Sequence, residues 1–326
     1  MAALAVPVVD LSGFLQGAAA ERRQAARAFG AAMASAGFAT IVNHGVPPSL
    51  VRGTYDSARG FFALPEAAKR LHTAPEQTKG RGYLPLRMES VAATLTGETP
   101  PDLCEALVFA SIQRERSGAG QPNYWPADPP TLAPHVNGYF DAMLALSRQL
   151  MQLSALALDL PEDWFDALYR EPSLTLRFVS YPDQPEPPEP GQLRYGAHHD
   201  YGGLTILRQD DAPGGLQICT PDGLWHDVPP HPDSFVINVG DLMARWTNGR
   251  WQSTLHRVMN PDRALTGSTQ RLSMVAFTGP NGAAEIACLP SCVSEDNPAR
   301  YPPVNAQAYV QAKLTASHAL TLQAGR

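Results

Sequence analysis

The sequence contains no run of Lys or Arg, and its formal net charge is −6. Nucleic acid and anionic membranes are held by clustered positive charge, so neither is expected as a main partner. Cysteine is scarce. The four present, Cys104, Cys219, Cys288 and Cys292, form no CxxC pair and have no histidine at zinc-finger spacing. Reduced thiols in a cytoplasmic protein are therefore expected, rather than a disulfide frame or a structural metal. No apolar span reaches the length of about 18 residues that a membrane-crossing helix needs. The first residues, MAALAVPVVDL, lack a basic leader and are interrupted by Pro7 and Asp10, so no signal peptide is read there. Neither an internal repeat nor a hydrophilic linker divides the chain, and residues 1–326 are expected to form one integrated, soluble domain.

The apolar fraction of 44% and charged fraction of 17% are ordinary for a globular protein. Proline is abundant, with 31 residues in all and clusters at 121–134, 182–190 and 229–232 that stiffen loops. AVPVVD at 5–10 reads as a short strand, and the Ala-rich stretch 19–36 predicts a helix stopped by Gly37. FATIVNHG at 38–45 predicts a strand and a turn, with helices to follow at 48–62 and 65–71. Residues 75–130 are expected to be mostly irregular, with one strand near 106–110. In 131–158 the apolar residues Tyr139, Met143, Leu146, Leu150, Leu153 and Ala157 recur at helical spacing and predict a long amphipathic helix outside a sheet. A shorter helix is expected at 162–169. From 174 onward the texture changes to short β-like runs at 174–181, 193–198, 203–208, 215–219, 225–228, 234–239, 254–259 and 271–277. Many short strands separated by turns predict a sandwich or barrel, closed by a helix at 305–321.

Chemistry enters with GAHHDYGGLTIL at 196–207. On a strand alternate side chains share a face, so His198 and Asp200 can reach one ion while His199 points away. STLHRV at 253–258 supplies a third ligand, His256. Two neutral imidazoles and one carboxylate form the facial triad that leaves positions open on iron(II) for substrate and dioxygen. A closed zinc site would want four ligands. The remaining histidines, His44, His72, His135, His226, His231 and His318, read as loop, surface or satisfied core residues. In QRLSMVAF at 270–277, Arg271 and Ser273 again share a face. A guanidinium fork with a nearby hydroxyl is an anchor for a carboxylate, as an anionic co-substrate chelating the metal at its other end requires.

At this point the chain resembles the isopenicillin N synthase-like class of 2-oxoglutarate/iron(II) dioxygenases. VPVVDLSGF, GFATIVNHGVP and ARGFFALPEAAKR resemble that family's N-terminal segment, and RGYLP and NYWP match its intervening landmarks. GAHHDYGGLTIL, GGLQI, the W-x-x-V-x-P at 225–230, VINVGDLMARWTNG and STLHRV follow its β-core in order. The resemblance implies an α+β protein, mainly β with flanking helices. Its double-stranded β-helix core, a jelly roll of the cupin kind, would span 171–285. It would follow an N-terminal helical and irregular segment (1–130) and a supporting helix region (131–170), with a C-terminal loop and helix at 286–326. Iron(II) would sit on His198, Asp200 and His256. The co-substrate 2-oxoglutarate would sit on Arg271, Ser273 and Tyr181, although the Asn that many members carry two residues before that Tyr is Val179 here. With dioxygen, the family decarboxylates 2-oxoglutarate to succinate and oxidises a C–H bond of a small organic substrate. Hydroxylation, desaturation and ring formation are all within its range. Tyr83, Met88, Phe109, Arg177, Tyr201, Trp246 and Phe277 are expected to line the substrate pocket by analogy. Three other readings remain at this stage: a same-fold oxidase that dispenses with 2-oxoglutarate, a non-catalytic jelly-roll binding protein, and a zinc hydrolase on the same ligands.

Overall fold

The N-terminal third supplies both helices and sheet edges. The computed structural model describes residues 6–73, 80–97 and 99–324. Strands β1 (Val8–Asp10) and β2 (Phe38–Val42) run parallel, joined through helices α1 (Ser12–Gln16) and α2 (Ala19–Ser35). Glu21 closes the start of α2 by accepting the Ala18 N–H at 2.7 Å. After α2 the chain reverses at Gly37, whose φ is +66° and where a Cβ would lie 2.1 Å from the Gln252 carbonyl oxygen. Only glycine fits there. Helices α3 (Pro48–Phe62) and α4 (Glu66–Arg70) follow as expected.

The stretch from 75 to 130 is more ordered than its composition suggests, although 74–79 and 98 lie outside the described residues. It holds β3 (Gly82–Leu84), α5 (Ala93–Thr96), β4 (Glu105–Ala110) and α6 (Ile112–Arg116). Helix α7 (Leu132–Ala157) buries the predicted stripe, Tyr139 through Ala157, in the main core. The helix expected at 162–169 is absent. That stretch is a succession of turns, with Trp164 N–H on Pro161 O and Leu168 N–H on Phe165 O, both at 3.0 Å. So short a stretch sustains few helical bonds, and burial of Phe165 and Tyr169 sets its path instead.

Eight core strands come next: β5 (Ser173–Tyr181), β6 (Tyr195–His198), β7 (Leu204–Gln209), β8 (Leu216–Cys219), β9 (Trp225–Asp227), β10 (Phe235–Val239), then, after helix α8 (Asp241–Trp246), β11 (His256–Val258) and β12 (Arg271–Gly279). The large sheet runs β1-β2-β10-β7-β12-β5-β4-β3 and the small one β6-β11-β8-β9. Strands β5 to β12 therefore distribute themselves between two facing sheets, which is the double-stranded β-helix, and the N-terminal strands extend its large sheet at both edges. A small hairpin, β13 (Glu285–Ile286) with β14 (Val304–Asn305), leads into the last helix, α9 (Ala306–Ala324).

Strand alternation sorts the large sheet into two faces. Leu174, Leu176, Phe178, Leu272, Met274 and Ala276 join the helices in one apolar core. The opposite face looks at the small sheet. There Phe38 and Val236 pack with Leu216, Ile218 and Val228, while Val179 and Tyr181 pack with Cys104 and Val258. The buried polar residues Thr205, Gln209, Asn238, Arg271 and Ser273 belong to this inner face. Among the described residues, no helix is long and apolar enough to cross a membrane.

Candidate active site

The inner face brings the three predicted metal ligands together. His198 ends β6 and His256 begins β11, and the two pair directly across the small sheet. Their rings stand 4.1 Å apart by centroid. Asp200 follows two residues after His198, so alternation returns it to the same side. Its Oδ1 lies 3.7 Å from His198 Nε2 and 3.8 Å from His256 Nε2. Within the described residues this is the one group of three such side chains able to share an ion.

Each member has its other polar atom occupied by protein. His198 Nδ1 meets the Gly196 carbonyl at 2.9 Å and His256 Nδ1 meets the Thr254 carbonyl at 3.0 Å. A carbonyl accepts only, so both Nδ1 atoms carry hydrogen and both Nε2 lone pairs are available. Asp200 Oδ2 accepts from Thr205 Oγ1 at 2.7 Å and Asn238 Nδ2 at 2.6 Å, which leaves Oδ1. Burial, aided by the neighbouring His256, holds the His198 pKa well below the usual imidazole range. Burial alone would push the Asp200 carboxyl up, but the two imidazoles and its two hydrogen bonds outweigh it and hold it below the usual range. Two neutral imidazoles beside one carboxylate suit a divalent cation.

Farther along the inner face, Arg271 and Tyr181 pair across β12 and β5, with Ser273 next on the same side. Arg271 Nη1 donates to the Asp210 carbonyl at 3.0 Å and to its Oδ1 at 3.2 Å, and Nη2 donates to Gln209 Oε1 at 2.9 Å. Its Nε is buried with no acceptor. The Ser273 and Tyr181 hydroxyls, both on buried residues, hydrogen-bond to no other described residue. Burial raises the Tyr181 pKa, so its hydroxyl stays a donor. An unpaired N–H and two hydroxyls carried on one face of adjoining strands fit a carboxylate.

The analogy for the substrate pocket is partly corrected. Tyr83 and Phe109 lie on the helix-facing side of the large sheet: Tyr83 pairs with Leu107, and Phe109 with Leu176. Tyr83 is fully buried, its hydroxyl 3.0 Å from Glu66 Oε2 and also bonded to Glu105. Phe109 stacks on Trp125 at 4.6 Å. Trp246 packs edge-on against Phe165 at 4.9 Å in the same helix-side core. All three are core residues. Arg177 and Phe277 belong to the inner face, Phe277 beside Thr205 in the β12–β7 ladder. Tyr201 follows Asp200 and is half-buried. Met88 is 55% exposed in the loop before β4. The next residue, Glu89, forms an ion pair with Arg177, whose guanidinium lies 5.6 Å from the Tyr195 ring.

That loop is tied down by Asp102, which nothing in the surrounding residues singles out. Its carboxylate accepts the Val91 N–H at 2.9 Å and the Gly196 N–H at 2.8 Å, joining the loop to the strand that carries His198. Thr205 and Asn238 were missed as well. The available signal was a lone polar residue on the inward parity of an apolar strand, as in FVINV. Among the other histidines, His44 and His135 are satisfied by Asp233 O and Ser57 Oγ, and His226 and His231 lie on the small-sheet strand β9 and an exposed loop. The side chain of His318 lies outside the described residues. His199 points away from the triad, its Nδ1 3.4 Å from Ser253 Oγ. The four cysteines are unpaired.

Comparison with known proteins agrees with this geometry. Residues 170–280 match the profile of the 2OG-Fe(II) oxygenase superfamily, and residues 6–128 match that of the non-haem dioxygenase in morphine synthesis N-terminal family. A 2-oxoglutarate-Fe(II) type oxidoreductase of Emericella nidulans is 31% identical over 95% of this chain and 90% of its own length. A full-length Neurospora crassa protein, solved in complex with alpha-KG and thymine, superposes with a TM-score of 0.85 at 29% identity, covering 95% of this chain and 96% of that one. The structure of JOX2 with 2OG, Fe and JA gives a TM-score of 0.76 at 29% identity, covering 97% and 86%. None of these relatives favours a non-catalytic binding protein, a zinc hydrolase or an oxidase that dispenses with 2-oxoglutarate. From its N-terminal segment through its jelly-roll core, the chain belongs to the isopenicillin N synthase-like family of 2-oxoglutarate/Fe(II)-dependent dioxygenases.

Proposed function

We propose that His198, Asp200 and His256 hold the iron(II) of this dioxygenase and that Arg271, Ser273 and Tyr181 hold the far carboxylate of 2-oxoglutarate. We read the whole chain as one integrated unit around that centre. One observation carries the assignment: all three ligands have their second polar atom occupied by protein, leaving Nε2, Nε2 and Oδ1 to face one another. When bound, the metal and the keto acid supply the oxidising chemistry: dioxygen is consumed, 2-oxoglutarate leaves as succinate and carbon dioxide, and a substrate C–H bond is oxidised.

The chain's own residues orient and exclude. Thr205 and Asn238 fix the Asp200 carboxylate, and the Gly196 and Thr254 carbonyls fix the imidazole tautomers. Tyr181 and Ser273 donate to the co-substrate beside Arg271. The substrate enters beside Arg177, Tyr201 and Phe277, where aromatic surface excludes water and the Arg177–Glu89 pair offers both donors and acceptors. A small organic molecule with a polar or acidic group suits that wall. Relatives solved with thymine (the Neurospora crassa protein) and with JA (JOX2) support the small-molecule reading.

Two measurements test this reading. Iron(II)-loaded protein screened with small acids and heterocycles is expected to release succinate from 2-oxoglutarate, while zinc-loaded protein releases none. Equal release with both metals would sink the assignment. Substituting Asn238 by Ala removes one of two donors to Asp200, and iron affinity is expected to fall about 10–100-fold, with turnover recovered at excess iron(II). Unchanged affinity in a titration would show that Asn238 does not act through the metal ligand.

A further inference from the structure

The inner end of the barrel carries a second arginine. Arg194 precedes β6, and alternation along the strand places Arg194, Gly196 and His198 on one face, which the burial of these three and the partial exposure of Tyr195 and Ala197 bear out. Arg194 is 0% exposed. Its Nη1 donates to the Pro213 carbonyl at 2.6 Å, and its Nη2 donates to the Thr269 carbonyl. Its Nε, like that of Arg271, is buried with no acceptor. The guanidinium carbon lies 6.0 Å from the centre of the Tyr181 ring, and Tyr181 is the direct ladder partner of Arg271.

Arg194 thus reaches, from the small-sheet side, the tyrosine that pairs with Arg271 on the large sheet. Burial lowers the Arg194 pKa to about 10, and the like charge of Arg271 adds to the shift. Asp210 pairs with Arg271. Asp183, the other carboxylate near Arg194, is engaged by Ser268 and Thr269. A buried pair of like charges with two unpaired N–H groups is relieved by a further anion.

We propose that Arg194 is a second cation of the 2-oxoglutarate pocket, acting on the far carboxylate from the small sheet as Arg271 does from the large one. The pocket then prefers a keto acid with two carboxylates more strongly than one guanidinium allows. The inference rests on the assignment of the iron and 2-oxoglutarate site above. A purely structural Arg194, bracing Pro213 and Thr269, predicts something different.

The test uses anaerobic, iron(II)-loaded protein titrated with 2-oxoglutarate and with 2-oxopentanoate, which has the same chain but no far carboxylate. The metal-to-ligand charge-transfer band reads both affinities. Arg194→Met is expected to weaken 2-oxoglutarate at least tenfold and leave 2-oxopentanoate within about twofold, while Arg194→Lys keeps most of the preference. Equal weakening of both keto acids, or of neither, overturns the proposal. If Arg194→Met does not fold, by circular dichroism, Arg194→Gln and Arg194→Lys decide: the preference must fall in Gln and survive in Lys, and any other pattern refutes it. A wild-type protein with no band at all would instead remove the underlying site assignment.

Discussion

His256→Ala is expected to abolish turnover, with a loss on the order of 10³-fold or more, because altering a group that merely supports a ligand already costs about 10–100-fold. In the proposed site the imidazole would be one of only three protein donors, and the described residues include no other such group of His, Cys, Asp or Glu. The fold should survive. His256 sits at the start of a short strand, and neighbouring Arg257 and Val258 keep their pairing with Gln217 and Leu216. Its ring packs edge-on to Phe38 at 5.4 Å, so the substitution leaves a small void beside an intact apolar cluster. Succinate release, iron stoichiometry and far-UV circular dichroism together separate loss of metal from loss of structure. A folded variant that still turns over at a tenth of the parent rate would remove His256 from the site.

The second large effect is expected at Arg271. Arg271→Met should raise the KM for 2-oxoglutarate about 100-fold, in line with roughly 2–5 kcal/mol for truncating one partner of a buried charge pair. Arg271→Lys should lose less, since it keeps the charge but not the fork. The change also strips a donor from Asp210. That carboxylate keeps the Leu272 N–H at 2.7 Å and the Tyr55 hydroxyl at 2.8 Å, so the inner face should hold. Turnover at saturating 2-oxoglutarate should remain within about tenfold, because the metal ligands lie elsewhere on the barrel. An unchanged KM for 2-oxoglutarate in both variants would contradict the anchor. A rise confined to the KM of the primary substrate would mean that Arg271 holds that molecule instead.

What could be read from residues alone followed the two-residue period. His198 and Asp200, and again Arg271 and Ser273, were joined by alternation within one strand, which needs no tertiary information. The β-core was legible for the same reason, its strands being apolar runs bounded by Pro, Gly and Asn. Which of a strand's two faces looks inward is set by pairing with a neighbour, and there analogy failed. Phe109 and Arg177 lie on adjacent strands, yet Phe109 pairs with Leu176 and so falls on the opposite face from Arg177. Trp246 belongs to α8, a helix of six residues too short to show a period. The helix expected at 162–169 fails for want of length, and the stretch runs as turns around the buried Phe165 and Tyr169. Glu89 and Asp102 were out of reach because their partners, Arg177 and Gly196, are distant in sequence.

In the proposed site iron(II) is held through three side chains and 2-oxoglutarate through Arg271. The decisive experiment is an anaerobic visible spectrum of metal-free protein, titrated with iron(II) and then with 2-oxoglutarate. A charge-transfer band that appears only when both are present, and that is lost in His256→Ala, is the predicted result. Iron binding with no band on adding 2-oxoglutarate would contradict it.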